Sequence, residues 1–232
     1  DPDNPAEYNR KRLDDVLDVL IEGPNRPDLL LATGDITDRG DPGSYRRLAT
    51  AFSRCPFPVW PSVGNHDLRD PFNAQFPGFD DGNGFIQYTV DLPELRLVTI
   101  DTLEEGRHGG AFCETRAAWL DAELAKDPLK PAYIVMHHPP VESGIEWMNT
   151  HPDEPWVAVF TEVVRRHPQV RGLICGHLHR SVTVAWEGRT VAICSSTAPQ
   201  VSLDLRPIDE NRPDDRPMIV AEDPAYALHQ IG

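Results

Sequence analysis

Apolar residues recur along the chain with two periods, and the elements follow from them. Leu13, Val16, Leu17, Leu20 and Ile21 stand at helical spacing and predict an amphipathic helix that Gly23-Pro24 stops. The run Leu29-Leu30-Leu31-Ala32 predicts a buried strand that ends at Gly34-Asp35. Tyr45, Leu48, Ala49 and Phe52 repeat the helical pattern, and Pro56 and Pro58 then break the chain before a second strand that ends at Asn65. Strand, helix and strand form a βαβ unit, whose parallel strands place both carboxyl ends on one side of the sheet. Ligands of open α/β sheets bind on that side.

Residues 70–84, rich in Asp, Asn, Gly, Pro and Phe, are expected to be a loop. Phe85, Tyr88 and Val90, then Leu95, Leu97, Val98 and Ile100, predict two paired strands joined through Asp91 to Glu94. After a polar loop from Leu103 to Phe112, Thr115 is expected to cap a helix carrying Trp119, Leu120 and Leu124. Tyr133-Ile134-Val135-Met136 predicts a third strand, ending at His137. An irregular loop over 141–154 leads to a helix with Pro155 in its first turn and Trp156, Val159, Phe160 and Val163 on one face. The fourth strand, Gly172-Leu173-Ile174-Cys175, ends at His177 and His179, and Val182 to Ile193 alternate as a hairpin around Glu187-Gly188. Beyond Ser195 the chain is polar and proline-rich. Residues 1–195 are expected to form the core of one domain and 196–232 its lid, arm or dimerisation segment.

Four strand ends therefore deliver Asp, Asn or His: Gly34-Asp35, Gly64-Asn65-His66-Asp67, His137-His138-Pro139-Pro140 and Gly176-His177-Leu178-His179. Carboxylate, amide oxygen and imidazole suit Mn, Fe, Zn or Co, and the lack of nearby Cys argues against a thiolate structural zinc. Two cations held about 3.5–4 Å apart would turn a shared water into a nucleophile at neutral pH and polarise a phosphoryl oxygen. His66 and Asp67 are candidate catalytic residues, placed to supply a proton or orient a leaving group. His138 reads as a packing residue. His108, His151, His167 and His229 read as solvated, and Trp119, Trp156 and Phe160 as core.

The formal charge is −15, from 37 acidic and 22 basic residues, which argues against binding to nucleic acid or an anionic membrane surface. No apolar run approaches the roughly 20 residues of a membrane span. Cys55, Cys113, Cys175 and Cys194 show no paired spacing, and Cys175 and Cys194 lie in apolar runs, so no disulfide framework is expected. A reducing cytoplasm fits.

GDITDRG, GNHD, MHHPP and GHLH in this order and spacing resemble the calcineurin-like metallophosphoesterases, in the branch of class III cyclic nucleotide phosphodiesterases and bacterial glycerophosphodiesterases. The resemblance covers about Asp28 to Ser196. It implies a four-layer α-β-β-α sandwich of two mixed sheets, two divalent metal ions, and hydrolysis of a small phosphodiester by a metal-bound hydroxide. It also implies roles: Asp35 bridges both metals, Asn65, His137 and His177 complete the second site, and His179 binds the first with Asp35. His66 would contact the substrate phosphate or assist the leaving group, with Asp67 steadying its neighbours. One departure stands out. The family opens with a strand ending in Asp-x-His, and no Asp before Asp35 has a His two residues on. The chain begins without Met, and an Asp-x-His block is expected upstream. A half-site metal-binding protein and a phosphomonoesterase are the alternatives, and the tail is a candidate homodimer contact.

Overall fold

A computed structural model describes residues 5–209, 211 and 213–231. Helix α1 (Pro5–Glu22) buries Val16, Leu17 and Leu20, as its periodicity requires. Strand β1 (Leu30–Ala32), helix α2 (Pro42–Phe52) and strand β2 (Val59–Pro61) form the expected βαβ unit, with β1 and β2 parallel. Asp41 caps α2 by accepting the Ser44 N–H at 2.9 Å, and Pro42 occupies the first turn, where an amide hydrogen has no helical partner.

The main sheet holds β3 (Tyr88–Asp91), β4 (Arg96–Thr99), β5 (Ala132–Met136), β6 (Val170–Cys175), β7 (Val182–Trp186) and β8 (Arg189–Ile193), in the order β3-β4-β5-β6-β8-β7. It is mixed: β4, β5, β6 and β8 run parallel, and β3 and β7 close its edges antiparallel. Glu187 (φ 49°) and Gly188 (φ 71°) make the two-residue hairpin turn, where both positions need the left-handed region to match strand twist. One face of this sheet packs Ile134, Leu173 and Val191 against α4 (Glu114–Ala125) and α5 (Pro155–Arg166), with Leu120 and Phe160 fully buried between them. On the other face Leu29, Leu31 and Trp60 of the β1–β2 layer meet Leu97 and Tyr133, and the Tyr88 hydroxyl donates to the Pro61 carbonyl at 2.9 Å. The chain is thus an α/β protein with a mixed central sheet and flanking helices. Its smaller sheet differs from expectation in having two parallel strands among the described residues rather than a mixed set.

Three other expectations are corrected. Within the supposed loop at 70–84 lies helix α3 (Arg69–Gln75). Pro71 sits in its first turn, where a missing N–H costs little, and Phe72 and Phe76 stack edge-on against Tyr45 at 6.0 and 6.4 Å, so tertiary packing supplies what local composition does not. Helix α4 begins two residues earlier than Thr115 implied: Cys113 is its cap, with Ala117 N–H bonded to the Cys113 carbonyl at 2.9 Å. His167 is buried, not solvated, with Nε2 2.8 Å from the Asp121 carboxylate.

Part of the C-terminal stretch belongs to the packed body. Buried Arg12 of α1 donates to the carbonyls of Thr197 and Ala198 at 2.7 and 3.0 Å, and Gln200 and Val201 are buried in β9 (Gln200–Val201), which pairs with β10 (Ile219–Val220). Leu203, Leu205, Met218 and Leu228 remain exposed. Residues 210, 212 and 232 of this stretch lie outside the described ones.

Candidate metal centre

All four strand ends meet at the imidazole of His137, and three glycines let them do so. A Cβ on Gly34 would come within 2.5 Å of His137 Nδ1. One on Gly64 would strike Asp35 Oδ1 and lie 2.7 Å from His137 Cε1, and one on Gly176 would lie 2.7 Å from the Thr33 carbonyl. Each glycine immediately precedes a residue of the centre, so close backbone approach is what the glycines supply here. Among the described residues only four non-glycine positions have positive φ, and three are Asp35 (50°), His177 (69°) and His179 (48°). Backbone held in that sparsely populated region marks a place where the surrounding structure enforces an otherwise costly conformation.

The proton positions follow from the partners. His137 Nδ1 lies 2.8 Å from the Thr33 carbonyl, which can only accept, so Nδ1 carries hydrogen. Nε2 then faces Asp35 Oδ2, Asn65 Oδ1 and His177 Nδ1, each at 3.2 Å. With His177 as its Nε2–H tautomer, four lone-pair atoms converge on one point. Such an arrangement requires positive charge at its centre, a proton on Nε2 or a cation. The donor set of carboxylate, amide and two imidazoles fits a borderline divalent cation, and the Nδ1–H bond to a carbonyl is how proteins orient such an imidazole.

Electrostatics agree with this geometry. Burial works against charge on Asp35, but His137 attracts and bonds it and holds its carboxyl well below the usual range. Burial likewise opposes charge on His137, and the facing Asp35 carboxylate raises its pKa nonetheless. Burial and then the neighbouring His137 push His177 down to about 3. Burial also lowers His179, whose Nδ1–H donates to the Pro199 carbonyl at 2.8 Å and leaves Nε2 free.

His66 and Asp67 are adjacent in sequence but differ in setting. The His66 side chain is 41% exposed, its Nδ1–H donates to the Asp38 carbonyl at 3.0 Å, and its backbone N–H donates to Asp35 Oδ1 at 2.8 Å. Its Nε2 is therefore the ring nitrogen left free of that bond. Asp67 is buried beneath the centre and accepts five hydrogen bonds, from the backbone of Ile36, Thr37 and Gly64 and the hydroxyls of Thr37 and Tyr45, at 2.9–3.1 Å. Burial and the nearby Asp35 carboxylate push it up to about 6, while the donors favour its charged form. With both oxygens spent on the 36–37 and 64–68 turns, Asp67 ties the two βα connections together and offers no free edge to a substrate.

The candidate nitrogens of His137, His138 and His177 lie within 4.8 Å of one another. His138 nevertheless spends both of its own elsewhere: Nε2 donates to the His108 carbonyl at 3.0 Å, and Nδ1 lies 2.8 Å from the Thr102 hydroxyl. Burial, then His137 and His177, keep it neutral. The packing role read from sequence matches these contacts. His108 is exposed, as read from sequence, and its ring lies at the rim, 6.0 Å from the His66 ring centroid and with Nδ1 3.2 Å from Asn65 Nδ2. Nothing in its loop sequence marks it out.

The calcineurin-like phosphoesterase family profile matches residues 6–181. This chain belongs to that family. Among curated relatives of this calcineurin-like phosphoesterase, a probable glycerophosphodiester phosphodiesterase of Arcobacter nitrofigilis is 31% identical over 206 residues, covering 88% of this chain and 73% of the relative. A probable cyclic nucleotide phosphodiesterase of Rhodopseudomonas palustris is 35% identical over 189 residues, covering 77% and 67%. Among solved structures, a dimetal phosphatase from Danio rerio superposes with a TM-score of 0.62 at 17% identity, over 82% of this chain and 78% of that one, which shows a shared fold. The family resemblance read from the four motifs is thus confirmed.

Proposed function

We propose that this phosphoesterase hydrolyses a small phosphodiester with two divalent cations, Mn, Fe, Zn or Co, held at the His137 centre. The observation that carries the reading is the convergence of Asp35, Asn65 and His177 on His137 Nε2 at 3.2 Å. Asp35, Asn65, His137 and His177 would hold one ion, and Asp35 and His179 would contribute to the other. Bound there, the ions supply Lewis acidity and a water of lowered pKa. Asp35 would contribute negative charge to both sites. His66 presents Nε2 at the mouth, where as an imidazolium it would bind the phosphate or give its Nε2 proton to the leaving alkoxide, with Nδ1–H pinned by the Asp38 carbonyl. Asp67 keeps Asp35 and Asn65 in register by binding both of their loops. Two of the curated relatives are named as diesterases, which supports a diester over a monoester. The same likeness supports a four-layer sandwich with the β1–β2 layer as its second sheet, and the exposed Leu203, Leu205 and Leu228 support a subunit contact in the tail.

Elemental analysis after loading with Mn, paired with turnover of a diester and its monoester, tests this. Bound metal in the wild type that is lost in His177→Ala, with faster turnover of the diester, is the expected result. A wild-type chain that takes up no metal, or a His177→Ala variant with full metal content and turnover, would refute it.

A further inference from the structure

We infer that His108 is a positioning residue for Asn65, selecting the amide orientation that turns Oδ1 toward the cation; this rests on the metal reading above. Asn65 Nδ2 lies 3.2 Å from His108 Nδ1. An amide nitrogen has only hydrogens to offer, so Nδ1 accepts and the neutral ring carries its proton on Nε2. The opposite end of the same amide, Oδ1, lies 3.2 Å from His137 Nε2. Turned over, the amide would donate Nδ2–H to the His137 Nε2 lone pair, a good hydrogen bond that would close the centre to a cation. His108 in its Nε2–H tautomer accepts from Nδ2 and so holds the amide in the orientation that leaves Oδ1 for the cation.

His108 is itself held from the core. Its carbonyl accepts from buried His138 Nε2 at 3.0 Å, and His138 is braced by the Thr102 hydroxyl at Nδ1 and by its own N–H to Thr102 Oγ1 at 3.3 Å. Ala111 N–H closes the loop onto the Thr102 carbonyl at 2.9 Å. Gly110 lets the loop lie flat: a Cβ there would come within 2.9 Å of the Trp156 ring and 3.0 Å of His138 Cβ. A continuous path therefore runs from Thr102 through His138 and the His108 backbone to the Asn65 amide. It assigns a purpose to the second His of the HHPP block, which spends both nitrogens on the loop and none on the cation.

Calorimetric titration of the metal-free protein with Mn, across position-108 variants, provides the test. His108→Ala is expected to weaken Mn binding by about 10-fold, the scale on which residues that orient a ligand act, with the metal-free melting temperature unchanged because the side chain is exposed. His108→Asn, whose Oδ1 replaces Nδ1 as acceptor, should restore most of the affinity, whereas His108→Gln, whose acceptor extends to the Nε2 position, should not. In an Asn65→Asp background, with no amide to turn, His108→Ala should have no further effect on Mn binding. Equal affinity in wild type and His108→Ala, rescue by Gln as good as by Asn, or the same loss in the Asn65→Asp background would each overturn the inference while leaving the metal site intact. A wild-type chain that binds no Mn would overturn the metal reading and this inference with it.

Discussion

Gly64→Ala adds one methyl group where the centre has no room. Its Cβ would strike Asp35 Oδ1, lie 2.5 Å from the Asp35 nitrogen and lie 2.7 Å from His137 Cε1. Carbons in contact sit at about 3.5–4.0 Å, so His137 or the Asp35 backbone must yield by roughly 1 Å. Gly64 is not among the positive-φ glycines, so strain from backbone conformation does not enter and the effect is steric. Overpacking on this scale costs about 1–3 kcal/mol. For a chain of this size a loss of about 2 kcal/mol lowers the melting temperature by about 4–8 °C. The functional loss should exceed the loss of stability, because a misplacement of about 1 Å in a reacting geometry can cost about 100-fold in rate. Gly109→Ala is the matched control on the neighbouring loop: its Cβ meets nothing within 4 Å and its φ is ordinary, so stability should stay within about 0.5 kcal/mol. Urea denaturation and Mn calorimetry on both variants measure the two effects. A Gly64→Ala protein with wild-type stability and wild-type Mn affinity would refute the claim that this glycine exists to admit Asp35 and His137.

Tyr45→Phe removes a fully buried hydroxyl that donates to Asp67 at 2.9 Å and accepts from Leu68 N–H at 3.1 Å, and should lower stability by about 2 kcal/mol in urea, as expected for a hydrogen bond to a charged group. Arg69→Ala strands Asp101, which is fully buried and held by Arg69 Nε and Nη2 at 2.8 and 2.9 Å; a loss of about 3 kcal/mol is expected, toward the low end for a broken buried pair because Arg116 Nη1 remains 3.8 Å away. Asp91 is bonded first by Arg96 and then by Lys130, which hold it down to about 2. The unfolded chain then binds more protons between about pH 4 and 2, so this pair stabilises above that window and its contribution is lost as pH falls through it. Because Asp91 is half exposed, the contribution is below about 1 kcal/mol, and Asp91→Asn should flatten the acid limb of a stability–pH curve by no more than that.

The sequence alone determined the elements whose periodicity is strong and the four strand ends that carry Asp35, Asn65, His137, His177 and His179. Those residues were legible because each follows an apolar run, and a buried strand must stop where its polar groups can be used. His137 and His138 show where that reasoning stops. They are neighbours with the same chemistry, yet one turns Nε2 to Asp35 and the other turns both nitrogens to Thr102 and His108. Strand-end geometry sends successive side chains to opposite sides, but only the packed sheets decide which side holds the carboxylate. His108 and α3 were hidden for a related reason. Their placement comes from partners far along the chain (His138 for the loop, Tyr45 for Phe72), and loops carry no period that would announce such contacts. Asp67 reads like a catalytic acid beside His66, and only the fold shows its two oxygens already bound by five donors. Residue types and their order along the chain set which chemistry was available. Which atom faces which was decided by long-range packing, because hydrogen-bond direction depends on the partner and not on the residue.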